Sequence, residues 1–259
     1  MQITALQPFG VEIAHVDPHA MDAAAVARIE DHLGRDGVVV LRGQTIDDDA
    51  FVAFLRRFGA LTFTKGETPL AHQPALNFVT NEGRTTPPRS VFHTDTSYVA
   101  SPPAYTALRG VLIPEAGGET VFANQFAAYE TLTPRLKREL AGRRMKHEVT
   151  GVTLAQGEES ATWHPIFRKH PTTGRTALFL STPERCTAIE GMDDEAARET
   201  IRFLFDHSTA QPLYRHRWQA GDVVMWDNRC TLHKADHSGV VGARRMHRGM
   251  VGGEVPLAA

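Results

Sequence analysis

Three stretches of this chain have residue types and spacing suited to chemistry. In FHTDTSYV, residues 92–99, His93 and Asp95 stand two apart among β-forming residues. On a strand that spacing sends both side chains to one face and Thr94 to the other. A neutral imidazole beside a carboxylate suits a divalent first-row metal, although a surface His–Asp pair reads the same way. A third ligand must come from elsewhere, and VVMWDNRCTLHKAD offers the best one. There residues 223–226 read as a strand, Asp227, Asn228 and Arg229 as a turn, and His233 as part of the returning segment. With 13 histidines in the chain, His216, His237 and His247 compete with it on composition alone.

The second stretch is ARRMHRGMV, residues 243–251. Arg244 and Arg248 are four apart and share a strand face, while Arg245 takes the other. Two guanidinium groups on one face can bind small anions through paired hydrogen bonds, or can protect a solvated sheet edge. The third is GGETVFAN, residues 117–124, where a two-glycine turn leads into a strand carrying Thr120. Its hydroxyl could donate to the same anion.

The surrounding pattern shows what must position these groups. Residues 21–34 place Ala25, Val26, Ile29 and Leu33 at helical spacing, and the apolar run Val38–Leu41 follows as a buried strand. Asp47, Asp48 and Asp49 open a second helix, which runs through Phe51, Phe54 and Leu55 and stops at Gly59. Residues 81–90, NEGRTTPPRS, have loop composition. Beyond them short β-rich pieces recur, interrupted by helical segments near 126–141 and 193–207. This predicts a mainly β fold with flanking helices around an antiparallel jelly-roll core, as one domain over residues 1–259.

Composition narrows the function classes. At 259 residues, with 42% hydrophobic content, the core needs no metal or disulfide to hold it, so a metal here would serve function. A net charge of −2 with no basic run argues against a nucleic-acid partner. Cys186 and Cys230 form no CxxC pair, which suits a reducing compartment and disfavours thiolate-bound zinc. The start MQITALQPFG has neither a charged leader nor a long apolar stretch, and no window approaches a membrane span. A cytoplasmic location is expected.

Taken together and in order, HTDTSY, GGETVFAN, HPIFRKHPTTGRTALFL, GDVVMWDNRCTLH and RRMHR resemble the taurine/2,4-D dioxygenase family of Fe(II)- and 2-oxoglutarate-dependent oxygenases. The resemblance covers about residues 35–252 and is weakest over 62–90. It implies a double-stranded β-helix (jelly-roll) core, with His93, Asp95 and His233 as both the iron ligands and the catalytic centre. It further implies Arg244 and Thr120 on the distal carboxylate of 2-oxoglutarate, Arg248 on the substrate anion, and O2 as the oxidant. The implied reaction oxidises a small organic acid, hydroxylation first, with release of succinate and CO2. Desaturation or cyclisation could use the same site, whereas halogenation would need the position that Asp95 fills. A metal-dependent hydrolase is the alternative outside this chemistry, and it has no evident need for Arg244. A catalytically silent jelly-roll sensor would not need the full residue set.

The resemblance gives least help with the substrate. Taurine-type relatives carry a substrate-holding histidine where this chain has Leu61, Thr62, Phe63 and Thr64. The expected substrate is therefore a small anion held by arginine, a planar carboxylate with an apolar body. Arg248, Arg89 and Arg84 are the candidate anion contacts, Phe92 and Tyr98 the apolar ones, and residues 62–90 the expected lid. A homo-oligomer, dimer or tetramer, is compatible with the sequence.

Overall fold

A computed structural model describes residues 1–83 and 90–259. The two N-terminal helices form as their caps dictate. Asp22 accepts from Ala25 N at 2.7 Å to open Ala23–Asp36, which ends at Gly37 with a φ of 76°. Asp47 caps Asp48–Arg56 in the same way at 2.8 Å. Both helices lay Ile29, Leu33, Phe51, Phe54 and Leu55 on one face of an eight-stranded sheet, against Val39, Leu41, Ala107 and Met225.

In that sheet Val38–Leu41, Val223–Asp227, Tyr105–Leu112 and Arg245–Val251 are consecutive neighbours, with Asn77–Thr80 also paired to Arg245–Val251. Its other face packs on a three-stranded sheet in which Thr120–Asn124 lies between Leu213–His216 and Thr231–Ala235. Val40, Leu108, Trp226 and Met246 meet Phe122 and Tyr214 across this layer. Among the described residues, strand pairing is antiparallel except between Val11–Ala14 and Val38–Leu41.

Three elements differ from the sequence expectation. The segment near 126–141 forms two helices, Gln125–Glu130 and Pro134–Leu140. Pro134 has no N–H to continue a helix and instead starts one capped by Thr133. Residues 62–90 are not loop throughout, because Asn77–Thr80 pairs with the arginine-rich strand. FHTDTSYV is not a strand: only His93 bridges, and the backbone turns after it.

Candidate active site

His233 lies on Thr231–Ala235, and His93 sits directly opposite it. The two residues exchange backbone hydrogen bonds of 2.9 and 3.0 Å, which brings their imidazole centroids to 4.3 Å. Asp95 arrives by a different route from the expected strand alternation. Thr94 is buried and donates to Leu180 O at 3.0 Å, and Thr96 adopts a φ of 44°, so the chain doubles back. Asp95 Oδ1 then stands 3.5 Å from His93 Nε2, and Oδ2 stands 3.7 Å from His233 Nε2. All three ligand-capable atoms lie within 4.8 Å of one another. Two of the rival histidines are engaged elsewhere: His216 Nε2 is 3.1 Å from Asp222, and His247 Nδ1 is 2.6 Å from Asp48.

This donor set fits a divalent first-row metal. His93 Nδ1 lies 3.0 Å from Val91 O, and donating there leaves the Nε2 lone pair for the ion. Burial pushes the His233 imidazole down to about 3, keeping it neutral, as a ligand must be. Burial acts to raise the Asp95 carboxyl, but His233, His93 and Arg248 outweigh it and hold the group well below the usual range. Asp95 is fixed from behind. Its Oδ2 accepts from Thr106 Oγ1 at 2.7 Å, Thr106 accepts from Asn228 Nδ2 at 2.8 Å, and Asn228 Oδ1 accepts from Trp226 Nε1 at 3.1 Å. Sequence reasoning missed Thr106 and read Asn228 only as a turn residue, because the contact of each with the Asp95 chain is made through tertiary structure.

A second charged position lies along the neighbouring strand. Phe122 pairs with His233, so Thr120 is two residues, about 7 Å, further along. Its hydroxyl accepts the Trp218 indole N–H at 3.1 Å, leaving its own proton free to donate. Arg244 Nε donates to Gly118 O at 2.9 Å, and this approach needs glycine: a Cβ on Gly118 would stand 2.9 Å from Arg244 Cδ. Arg244 Nη2 is buried without a partner among the described residues, and burial lowers the guanidinium to about 10. A buried cation with an unused donor is a receptor for an anion.

The expected substrate contacts divide. Arg248 ion-pairs with Glu67 through Nη2, with Nη1 3.7 Å from Asp95 Oδ1, so it is not an open anion receptor. Phe92 packs against Val121, Ala123 and Leu232 as a core residue. Tyr98 is buried and lines two cavities, one of about 190 Å³ containing His93 and Asp95 and one of about 430 Å³ beside it. Arg84 and Arg89 lie outside the described residues.

Clustered donors suited to a metal, with a buried guanidinium suited to an anion, fit the chemistry of 2-oxoglutarate-dependent dioxygenases. Comparison with known proteins gives the same class. Residues 2–250 match the family described as "Taurine catabolism dioxygenase TauD, TfdA family". The chain is 30% identical to the alpha-ketoglutarate-dependent 2,4-dichlorophenoxyacetate dioxygenase of Burkholderia sp. (strain RASC), over 88% of this chain and 86% of that one. It superposes on a taurine dioxygenase from Burkholderia xenovorans with a TM-score of 0.85 and 31% identity, covering 99% of this chain and 92% of the other. It also superposes on AAD-2 in complex with Mn(II) and N-oxalylglycine, with a TM-score of 0.85 and 26% identity, covering 98% of each chain. The chain belongs to the TauD/TfdA family and is a 2-oxoglutarate-dependent dioxygenase that uses a metal, O2 and a small-molecule substrate. No described helix is long and apolar enough to cross a membrane.

Proposed function

We propose that this chain is an Fe(II)- and 2-oxoglutarate-dependent oxygenase that hydroxylates a small organic acid within a double-stranded β-helix core. Residues 1–259 form one domain; of the expected lid, residues 84–89 lie outside the described residues and Asn77–Thr80 belongs to the sheet. His93, Asp95 and His233 hold the iron, and Arg244 and Thr120 hold the distal carboxylate of 2-oxoglutarate. Bound at the triad, iron would supply activation of O2, the oxidant, whose two oxygen atoms go to the substrate hydroxyl and to succinate as 2-oxoglutarate loses CO2.

The protein's own part is positioning. Thr106 and Asn228 fix Asp95, the bridge between His93 and His233 sets the two imidazoles, and Val91 O fixes the tautomer of His93. Burial of His233, Asp95 and Arg244 excludes bulk water from the charged groups. Two buried free cysteines support a reducing, cytoplasmic setting. The observation that carries the proposal is the buried Arg244 guanidinium, whose Nη2 has no partner among the described residues and whose Nε is held by Gly118 O, two residues before Thr120, which itself lies about 7 Å along its strand from the residue paired with His233.

The test is an anaerobic titration of the Fe(II) protein with 2-oxoglutarate. A weak visible charge-transfer band is expected, lost in His233→Ala and requiring far more 2-oxoglutarate in Arg244→Ala. A wild type that binds neither metal nor 2-oxoglutarate would refute the proposal.

A further inference from the structure

We propose that Arg185, rather than Arg248, receives the anionic group of the prime substrate, and that Glu67 directs this by keeping Arg248 in an internal ion pair. The inference rests on the 2-oxoglutarate oxygenase reading above and deepens its substrate side.

The cavity of about 190 Å³ beside the triad is lined by His93 and Asp95 together with Glu67, Arg185 and Arg248. The two arginines in it differ in what already holds them. Arg248 has two carboxylates, the paired Glu67 and Asp95 at 3.7 Å. Glu67 is itself held, accepting from Asn77 Nδ2 at 2.6 Å, and so is tied to the strand that pairs with Arg245–Val251.

Arg185 has no carboxylate partner among the described residues. Its Nη1 donates to Thr94 O at 3.1 Å and its Nη2 to Thr150 Oγ1 at 3.4 Å, while its buried Nε, like that of Arg248, has no partner among the described residues. A mostly buried guanidinium held only by neutral oxygens keeps most of its electrostatic attraction for an anion. Once Glu67 has neutralised Arg248, Arg185 is the positive charge left facing this cavity among the described residues. Its guanidinium carbon also lies 5.6 Å from the Tyr98 ring centroid, at the junction where Tyr98 and Thr96 are shared with the cavity of about 430 Å³. An acid anchored at Arg185 would run its apolar body past Tyr98 toward Phe63, Pro103 and Met250.

The test uses calorimetric binding to protein loaded with Mn(II) and 2-oxoglutarate under anaerobic conditions, so that turnover is not the readout. The probes are phenoxyacetate and 3-phenylpropionate, each beside its uncharged amide, and succinate release is measured separately. Whichever acid binds wild type should weaken by at least about tenfold in Arg185→Gln, the loss of one charge-assisted contact, with the amide unaffected. Glu67→Gln should tighten the acid by freeing Arg248. Mn(II) affinity in Arg185→Gln should stay near wild type, since a role limited to holding Thr94 O would weaken the metal instead. An acid that binds Arg185→Gln normally but loses tenfold or more in Arg248→Gln would overturn the assignment and leave the carboxylate reading intact. A wild type that binds the amides and neither acid would overturn the carboxylate reading and the assignment with it.

Discussion

Among the described residues two clusters have the composition of a metal site, yet only one has the electrostatics of one. Of the first cluster His93 and Asp95 line a cavity, and among the described residues Asp95 Oδ2 accepts from Thr106 while Oδ1 lies 3.5 Å from His93 Nε2 and 3.7 Å from Arg248 Nη1. His170, Asp227 and Cys230 are gathered just as tightly but are already satisfied. Asp227 accepts from Arg229 N at 2.8 Å and Arg229 Nη1 at 3.0 Å and lies 3.0 Å from His170 Nε2. Arg229 in turn meets Glu254, which Arg168 pairs at 2.6 Å. Burial pushes the Cys230 thiol well above its usual value, so it is no thiolate. The second cluster is an internal clamp on the turn that returns the chain toward His233. Ligand-capable atoms become a site only where their hydrogen-bond capacity is left unspent.

The strongest test of that distinction removes a carboxylate from each cluster. Asp95→Ala, like His93→Ala and His233→Ala, should abolish succinate release and metal retention while thermal unfolding stays near wild type. Asp227→Ala strands Arg229 and should cost about 3–5 kcal/mol of stability by denaturant unfolding. If Asp95→Ala unfolds the protein and Asp227→Ala merely loses metal, the two roles are reversed.

Next in size is Arg244→Ala, which should raise the KM for 2-oxoglutarate by well over about tenfold, because a buried charge-assisted contact is lost. Arg245 pairs with Glu82 on the other face at 2.8 Å, and Arg245→Ala should change that KM little. Steady-state kinetics on both variants checks the difference between a spent and an unspent arginine.

Thr106→Val keeps the shape behind Asp95 but removes the donor. Metal affinity should fall by about 10–100-fold, measured by competition with a chelating dye. An unchanged affinity would mean that the turn alone orients Asp95.

The smallest effect concerns Asp48, on the outer face of the sheet. Burial acts to raise its carboxyl, but His247, His72 and Arg109 bring it down to about 2 from an ordinary 3.8. A depressed carboxyl contributes stability that is full above about pH 4 and is lost as pH falls toward 2. Asp48→Asn should therefore lower Tm by about 2–4 °C at pH 7, with His72 exposed and partly screened, and the gap to wild type should close below pH 4.

The local elements were largely legible, because caps and periodicity are local physics. The helix through Ile29 and Leu33, the acidic start at Asp47 and the run Val38–Leu41 read correctly from neighbours alone. Around the candidate site the sequence supplied the residue types, and its strand reading of His93 and Asp95 brought them together for the wrong reason. A left-handed Thr96 and a buried Thr94 make that turn, and both depend on Leu180 and Thr64 from distant parts of the chain.

The sequence by itself determined that one chain carries two imidazoles, a carboxylate and an arginine in the order of a known family, since covalent order and side-chain chemistry survive without folding. Only the tertiary structure decided which charges are spent. Arg244, Arg248 and Arg185 are chemically identical. They differ because one is buried with an unused donor, one is paired with Glu67, 181 residues earlier in the chain, and one is held by neutral oxygens. Hydrogen-bond satisfaction and desolvation are properties of what surrounds a group, and those surroundings come from strands far apart in the sequence.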